Sequence, residues 1–303
     1  MRSLSEVVRR GGGVLSTAEL LAYGASSHAL TAAVRGGVLL RPRQGWYALP
    51  GTREDFVRAL RVGGRLASVS AAASYGLAVP HDFPLHVHVV HESSRLRTER
   101  DRYLRLSDAV GETTVIHRGR VAVPTLATRL RVGLLDCLLQ VATTESEEDA
   151  VACLDSAIRR GLLGPEGLEW LRKHLPARRL CILDRADGKS DSYPESICRC
   201  RLATAGIAAR LQVPVLGERW IDLLIGDCLA IEVDGAGKYT QDMTPAEVAK
   251  TMNADRLRDA FLEALGYHVI RISYFMVMFD WPATLSMIQA VIERGGHLSR
   301  PTR

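Results

Sequence analysis

Two apolar stretches, RWIDLLI at 219–225 and CLAIEVD at 228–234, stand either side of Gly226-Asp227. Their aliphatic, β-branched content predicts two strands of one hairpin. Side chains alternate along a strand. On the second stretch Cys228, Ala230, Glu232 and Asp234 therefore share one face, and Leu229, Ile231 and Val233 share the other. On the first, Asp222 goes with Trp220 and Leu224. Facing partners on paired strands must point the same way, so the connecting loop has to satisfy this parity. A two-residue loop sets Asp222 against Ile231, on the wrong face. A three-residue loop, Gly226-Asp227-Cys228, sets Asp222 against Glu232 and is the expected connection. The two carboxylates then stand across one rung, about 5 Å apart at Cβ.

Two carboxylates that close repel unless a proton, a cationic side chain or a metal neutralises them. Oxygen donors held together suit Mg²⁺ or Mn²⁺. A bound Mg²⁺ activates water and stabilises charge growing on a phosphate. Asp222, Glu232 and Asp234 are the predicted metal ligands, because Asp234 points the same way as Glu232. Glu195, near the start of the preceding helix, is a further catalytic candidate. The competing reading is an exposed polar sheet face with solvated acids. It fits less well, since the same face carries Trp220, Leu224 and Ala230.

The rest of the chain predicts an α+β multidomain protein: an N-terminal winged helix-turn-helix, a mostly helical middle region and a C-terminal α/β restriction-endonuclease-like domain. At roughly 100–200 residues per domain, 303 residues allow this. The boundaries are drawn at 1–55, 56–185 and 186–303. Ser16, with Glu19 three residues on, forms a capping box that starts one helix, and Gly24 ends it. Ser26 or Ser27 caps a second helix that runs to Arg35 and stops at Gly36-Gly37. Residues 38–41 and 46–49 read as strands about a turn at 42–45, the pattern of a β-wing. Ser27, His28 and Thr31 lie on the early turns of the second helix, where base edges are reached. Arg35, Arg41 and Arg43 are expected on backbone phosphates.

In the middle region, RLASVSAAASYGL reads as a helix packed through small residues, HVHVVHE as a strand, and 125–144 and 147–163 as amphipathic helices. His86, His88 and His91 lie on or near that strand; metal binding is one reading of them, and exposed residues without a role the commoner one. In the last region a helix is expected from Pro194 to about Ala205, and another opens at the capping box Thr244-Pro245-Ala246-Glu247 and ends before Gly266. HVIRIS is a further strand, and a final helix covers about 282–294.

The ordered set Glu195, Asp222, Glu232-Val233-Asp234-Gly235, Asn253-Ala254-Asp255-Arg256-Leu257-Arg258-Asp259 and Gly266-Tyr267-His268-Val269-Ile270-Arg271 resembles Vsr-like endonuclease-fold domains of the PD-(D/E)xK group. The resemblance covers roughly residues 190–280. It implies a metal-dependent endonuclease in which an Asp on one strand and an acid on the next bind the metal. The usual motif has Lys two residues after the second acid, where this chain has Asp234, so Lys238 or Lys250 would have to supply a displaced cation. The His that often follows E-V-D-G is also absent. Arg256 and Arg258 are candidates for phosphate contacts or for ion pairs with Asp255 and Asp259, and neighbouring opposite charges on a helix more often form a solvated face. Arg271, on a strand, is better placed for the site.

Residues 1–50 resemble the winged helix-turn-helix of AbiEi-type antitoxins, through Leu15-Ser16-Thr17-Ala18-Glu19-Leu20, Arg35-Gly36-Gly37 and the run from Arg41 to Pro50. The segment from Cys153 to Leu163 resembles, loosely, the helical part that often follows this reader. The resemblance implies double-stranded DNA as a partner, and beside it a cognate toxin or a second copy of the chain. Two functions then compete. One is a DNA-binding, Mg²⁺-dependent endonuclease of phage-defence or toxin–antitoxin type. The other is an antitoxin-like repressor whose nuclease-fold domain is inactive, a reading favoured by the missing Lys.

The formal net charge of +5 permits nucleic-acid binding without demanding it. Arg heavily outnumbers Lys, and Arg35, Arg41, Arg43, Arg53, Arg58, Arg61 and Arg65 fall in one short stretch. Arginine forks suit phosphates and guanine edges, and a high-GC genome that favours Arg codons everywhere explains the bias equally well. The six cysteines lack zinc-site spacing and are expected to be reduced. The sequence has neither the ~18-residue apolar run of a membrane span nor a secretory-type start, so a cytoplasmic protein with no membrane partner is expected.

Overall fold

The computed structural model describes residues 3–124, 127–215, 219–234 and 244–298, without the side chains of 219, 245–249, 251, 252 and 255. It is a mixed α/β chain of two compact units, Met1–Thr144 and Glu145–Arg303. Of the three expected segments, 1–55 falls within the first unit, 186–303 within the second, and 56–185 is divided between them.

The first unit begins with helix α1 (Leu4–Arg10), strand β1 (Val14–Ser16), helices α2 (Thr17–Ala22) and α3 (Ser27–Arg35), and strands β2 (Leu40–Arg43) and β3 (Trp46–Ala48). Ser16 caps α2 with the expected box: its hydroxyl accepts from Glu19 N, and the Glu19 carboxylate accepts from Ser16 N at 2.9 Å. Ser26, not Ser27, caps α3 by accepting from Ala29 N. The three strands form an antiparallel sheet in the order β1-β3-β2. β1 has only three residues, too few to show a period. The hairpin is shifted two residues from expectation in β2, and its turn shrinks to Gln44-Gly45 because Arg43 pairs with Trp46. Pro42 is tolerated because β2 is an edge strand. Val8, Leu15, Leu20, Leu30, Leu39 and Tyr47 close the core of this part.

The unit continues with α4 (Glu54–Val62), β4 (Arg65–Leu66), α5 (Ser68–Ser74), β5 (His86–Val89), β6 (Val115–Arg118) and α6 (Leu134–Thr144). β4 pairs antiparallel and β6 parallel with β5. Three expectations change here. The helix expected from Arg65 begins as a strand, and α6 starts only at Leu134, with 125 and 126 outside the described residues. His86 and His88 are also not exposed. They are 5% and 6% accessible, and His86 Nδ1 lies 3.1 Å from His117 Nε2.

The second unit holds α7 (Glu147–Arg159), α8 (Pro165–His174), α9 (Cys181–Arg185), α10 (Tyr193–Thr204), β7 (Ala209–Val215), β8 (Arg219–Ile225), β9 (Leu229–Asp234), α11 (Pro245–Ala264), β10 (His268–Ser273), α12 (Tyr274–Met278) and α13 (Trp281–Glu293). Its sheet runs β10-β9-β8-β7, antiparallel except for the β9/β10 pair. The parallel pair is joined through α11, as a parallel connection requires. β7 was not expected: its sequence, ARLQVPV, alternates poorly and contains Pro214, which an edge strand accepts. None of the six cysteines is in a disulfide. No described helix is long and apolar enough to cross a membrane.

Candidate functional site

The β8–β9 hairpin has the three-residue loop that side-chain parity demands. Ile225 pairs with Leu229, Leu224 with Ala230 and Leu223 with Ile231, leaving Gly226, Asp227 and Cys228 in the loop, with Gly226 at φ +60°. Regular pairing stops at the next rung, where Asp222 faces Glu232. There the Asp222 carboxylate takes over, its Oδ2 accepting from the backbone N–H of Val233 at 2.9 Å. The ladder to β7 is also interrupted at Asp222. Leu211–Leu223 and Val213–Ile221 pair on either side, and Gln212 between them has φ +44°. A non-glycine residue in this region is uncommon and marks strain held in place by its surroundings. Here the turn brings Gln212 Nε2 to 3.2 Å from Glu195 Oε2 and 3.5 Å from Asp222 Oδ1.

Glu195 sits in the first turn of α10, next to the helix's N-cap, Ser192. Ser192 Oγ accepts from Glu195 N and donates to Glu195 Oε1 at 2.8 Å, and Asp191 N donates to Oε2 at 2.8 Å. The residue is 4% accessible. Burial, and next the Asp222 charge, push its pKa up to about 7 despite those hydrogen bonds. Glu232 is equally buried, and burial followed by Asp222 raises its pKa. Burial raises Asp222 as well, opposed mainly by the Val233 N–H and by Arg258. The structure thus gathers Glu195, Asp222 and Glu232 in one place.

The neutralising group is Arg258. Leu262 of α11 packs with Leu224 and Ala230 on the acid-bearing side of the sheet. Arg258, one helical turn earlier, lies on the same stripe. Its Nη2 stands 2.8 Å from Glu232 Oε2 and 4.0 Å from Asp222 Oδ1, and also donates to the Trp220 carbonyl. The expectation that Arg258 belongs to a solvated helix face is therefore corrected. Burial still outweighs this ion pair in setting the direction of the Glu232 shift. Among the described residues no hydrogen-bond partner reaches Glu232 Oε1 or Arg258 Nε.

Asp234, expected as a third ligand, is turned elsewhere. Its Oδ1 lies 2.8 Å from Arg271 Nη1, while Arg271 also grips both oxygens of Asp259. Lys238 lies outside the described residues, as does the side chain of Asp255, and Lys250 is exposed. Among the described residues no group of three or more His, Cys, Asp or Glu side chains is arranged to hold a metal ion. Of the expected trio, Asp222 and Glu232 stand together, while Asp234 is engaged by Arg271. Asp222 and Glu232, two adjacent hard-oxygen donors with one buried oxygen left without a partner, fit a divalent cation that keeps several waters. Gln212 was not singled out from sequence, and Arg258 was assigned to the helix surface rather than to the acids. Only Arg258 left a signal there, its four-residue spacing from an apolar position on the same helix.

In the first unit α3 presents one exposed face. Ser27, His28, Thr31, Ala32 and Arg35 are exposed along it, while Leu30 and Ala33 are buried beneath. Thr31 Oγ1 donates to Ser27 O at 3.0 Å. Arg41 is exposed, its guanidinium 5.7 Å from the Tyr47 ring centre. Arg43 is not free for a phosphate in the way expected. It is half-buried, donating to Val62 O at 2.6 Å, to Arg61 O at 3.4 Å and to the Arg95 carbonyl. These bonds tie the hairpin to the end of α4. Gly63 makes room for them: it adopts φ +115°, and a Cβ there would run into the Arg43 guanidinium.

No curated protein matches the chain. Residues 2–50, which span α1 through the β2–β3 hairpin, match the model of a family described as transcriptional regulator, AbiEi antitoxin.

Proposed function

We propose that the chain is a duplex-DNA-binding regulator of antitoxin type, whose first 50 residues work as a winged helix-turn-helix. The observation that carries this reading is the exposed face of α3, with Ser27, His28, Thr31 and Arg35 along it, in a segment similar to the AbiEi regulators. Short polar side chains and a His can meet base edges, and Arg35 and the wing Arg41 can meet phosphates. Binding is tested by gel shift on duplexes from the chain's own upstream region, over a salt series. Failure to bind any duplex at low salt rules the reading out.

A second reading is favoured by the buried acids of the other unit. Glu195, Asp222 and Glu232 occupy positions suited to a PD-(D/E)xK-type endonuclease, with Asp222 and Glu232 as the residues that would hold Mg²⁺ or Mn²⁺. When bound, such an ion supplies a water nucleophile at neutral pH and offsets charge on the phosphodiester. The chain's own contribution is then to position that pair: the Val233 N–H fixes Asp222, and the Gln212 amide bridges Asp222 and Glu195. Arg258 neutralises the pair when no ion is present. Against activity stand Asp234 at the usual Lys position and its commitment to Arg271. Incubation with supercoiled and single-stranded DNA in Mg²⁺ or Mn²⁺ decides between an active and a silent domain. Cleavage that persists in Asp222→Ala and Glu232→Ala would sink the mechanism, and no cleavage with operator binding leaves the repressor alone.

A further inference from the structure

Residues 95–105, RLRTERDRYLR, hold five arginines. They fold back on themselves: Arg97 bridges Arg105, Thr98 N donates to Leu104 O at 3.1 Å, and Leu106 N to Leu96 O at 3.2 Å. The tip is closed by Thr98 Oγ1, which donates to Asp101 O and accepts from Asp101 N. Two arginines fasten this segment to the β2–β3 hairpin. Arg43 donates to the Arg95 carbonyl, and Arg102 Nη1 donates to Arg41 O at 2.5 Å.

Between the two hairpins lies a cleft of about 570 Å³ lined by Arg41, Arg43, Arg95, Arg97 and Arg102, with Tyr103 and the turn residue Gln44. Its lining includes no acidic side chain. The nearby acids are engaged elsewhere: Glu99 with Arg58 and Arg100, and Asp101 Oδ1 with the Tyr103 N–H. Like charges held this close repel, and an anion relieves the repulsion. Burial and then the neighbouring Arg97 already push the Arg43 pKa down. Planar guanidinium forks on a fixed frame match phosphate oxygens.

We infer that this cleft grips the phosphate backbone of duplex DNA alongside the wing, as a second contact beyond the 50 residues of the reader; the inference rests on the DNA-binding reading above. The duplex backbone is favoured over a small free phosphate because the wing residues Arg41 and Gln44 form one wall of the cleft. The probe is a mixed-sequence DNA duplex, bound by the full-length chain and followed by fluorescence anisotropy from low to moderate salt. Each phosphate contact contributes roughly 0.9 to the slope of log K against log salt. Arg95→Gln with Arg97→Gln should therefore lower the slope by about 2. Arg95→Lys with Arg97→Lys should keep the wild-type slope, and all variants should melt as wild type. A wild-type slope in the Gln pair, with duplex binding intact, overturns the inference and leaves the DNA-binding reading standing. Absence of duplex binding by wild type removes both. Saturable binding of inorganic tripolyphosphate, lost in the Gln pair while the duplex slope is unchanged, reassigns the cleft to a small anion and also overturns the inference.

Discussion

Arg258 Nη2 stands 2.8 Å from Glu232 Oε2 and 4.0 Å from Asp222 Oδ1, so one guanidinium faces two buried carboxylates. Glu232 is 4% exposed at its side chain and Arg258 35%. Removing one partner of a buried pair leaves the other charge uncompensated, at a cost of about 3–5 kcal/mol. The partial exposure of Arg258 places the expected loss for Arg258→Met at the lower end, about 3 kcal/mol. Glu232→Gln added to Arg258→Met should restore most of it, because the carboxylate nearest the guanidinium is then neutral and Asp222 keeps its bond from the Val233 N–H. Urea denaturation of the four proteins checks this. Strict additivity of the two substitutions would show that the pair is not coupled.

Glu195 gives a pH dependence with a definite sign. Its folded pKa is raised to about 7 from an ordinary value of 4.5, so the folded state holds the proton that the unfolded chain releases. The stability it contributes is fully present below about pH 4.5 and is lost as pH rises through about 7. Wild type should therefore lose stability across that window, and Glu195→Gln should flatten the curve in part, the remainder coming from Glu232, whose pKa is also raised to about 7. Thermal melts of both proteins at closely spaced pH values provide the readout. Equal slopes would show that the carboxyl is already ionised in the folded protein.

How much of this site is legible from sequence depends on whether the cause is local. The loop at Gly226 was legible because strand parity leaves one loop length that puts Asp222 opposite Glu232. The helix caps at Ser16 and Ser26 were legible because a cap is a contact three residues long. Arg258 was misread because its neighbours, Asp255 and Asp259, offer local partners, and only the packing of Leu262 under the sheet turns it to Glu232. Gln212 carries no mark of its left-handed backbone, which arises from the two ladders that fail at Asp222. The same limit hid the burial of His86 and His88, since alternating polar residues on a covered strand read like those on an exposed one. Arg43 looked like any other wing arginine until α4 supplied its carbonyls.

Arg43 and Gly63 make a separable pair. Gly63→Ala puts a Cβ against the Arg43 guanidinium at a left-handed φ of +115°, and both effects destabilise. A loss of about 1–3 kcal/mol is expected. Arg43→Gln should also destabilise, by removing the bonds to Val62 O and Arg95 O, while changing the salt slope of duplex binding less than Arg41→Gln does. Melting curves together with anisotropy titrations separate the two effects. A larger slope change for Arg43→Gln than for Arg41→Gln would return Arg43 to the phosphates.

The exposed face of α3 predicts two kinds of variant. His28 lies in the first turn, among short polar neighbours, where a side chain reading bases would sit. His28→Ala should reduce the preference for a cognate duplex over a scrambled one by roughly 1–3 kcal/mol and leave the salt slope unchanged. Arg35 closes the helix and points outward, as a phosphate ligand would. Arg35→Gln should weaken binding to both duplexes alike and lower the slope by about 1. Neither side chain supports the core, which rests on Leu30 and Ala33, so both variants should melt as wild type. Competition titrations with cognate and scrambled duplexes at two salt concentrations distinguish the outcomes. If His28→Ala and Arg35→Gln leave duplex affinity unchanged, α3 is not the reading element.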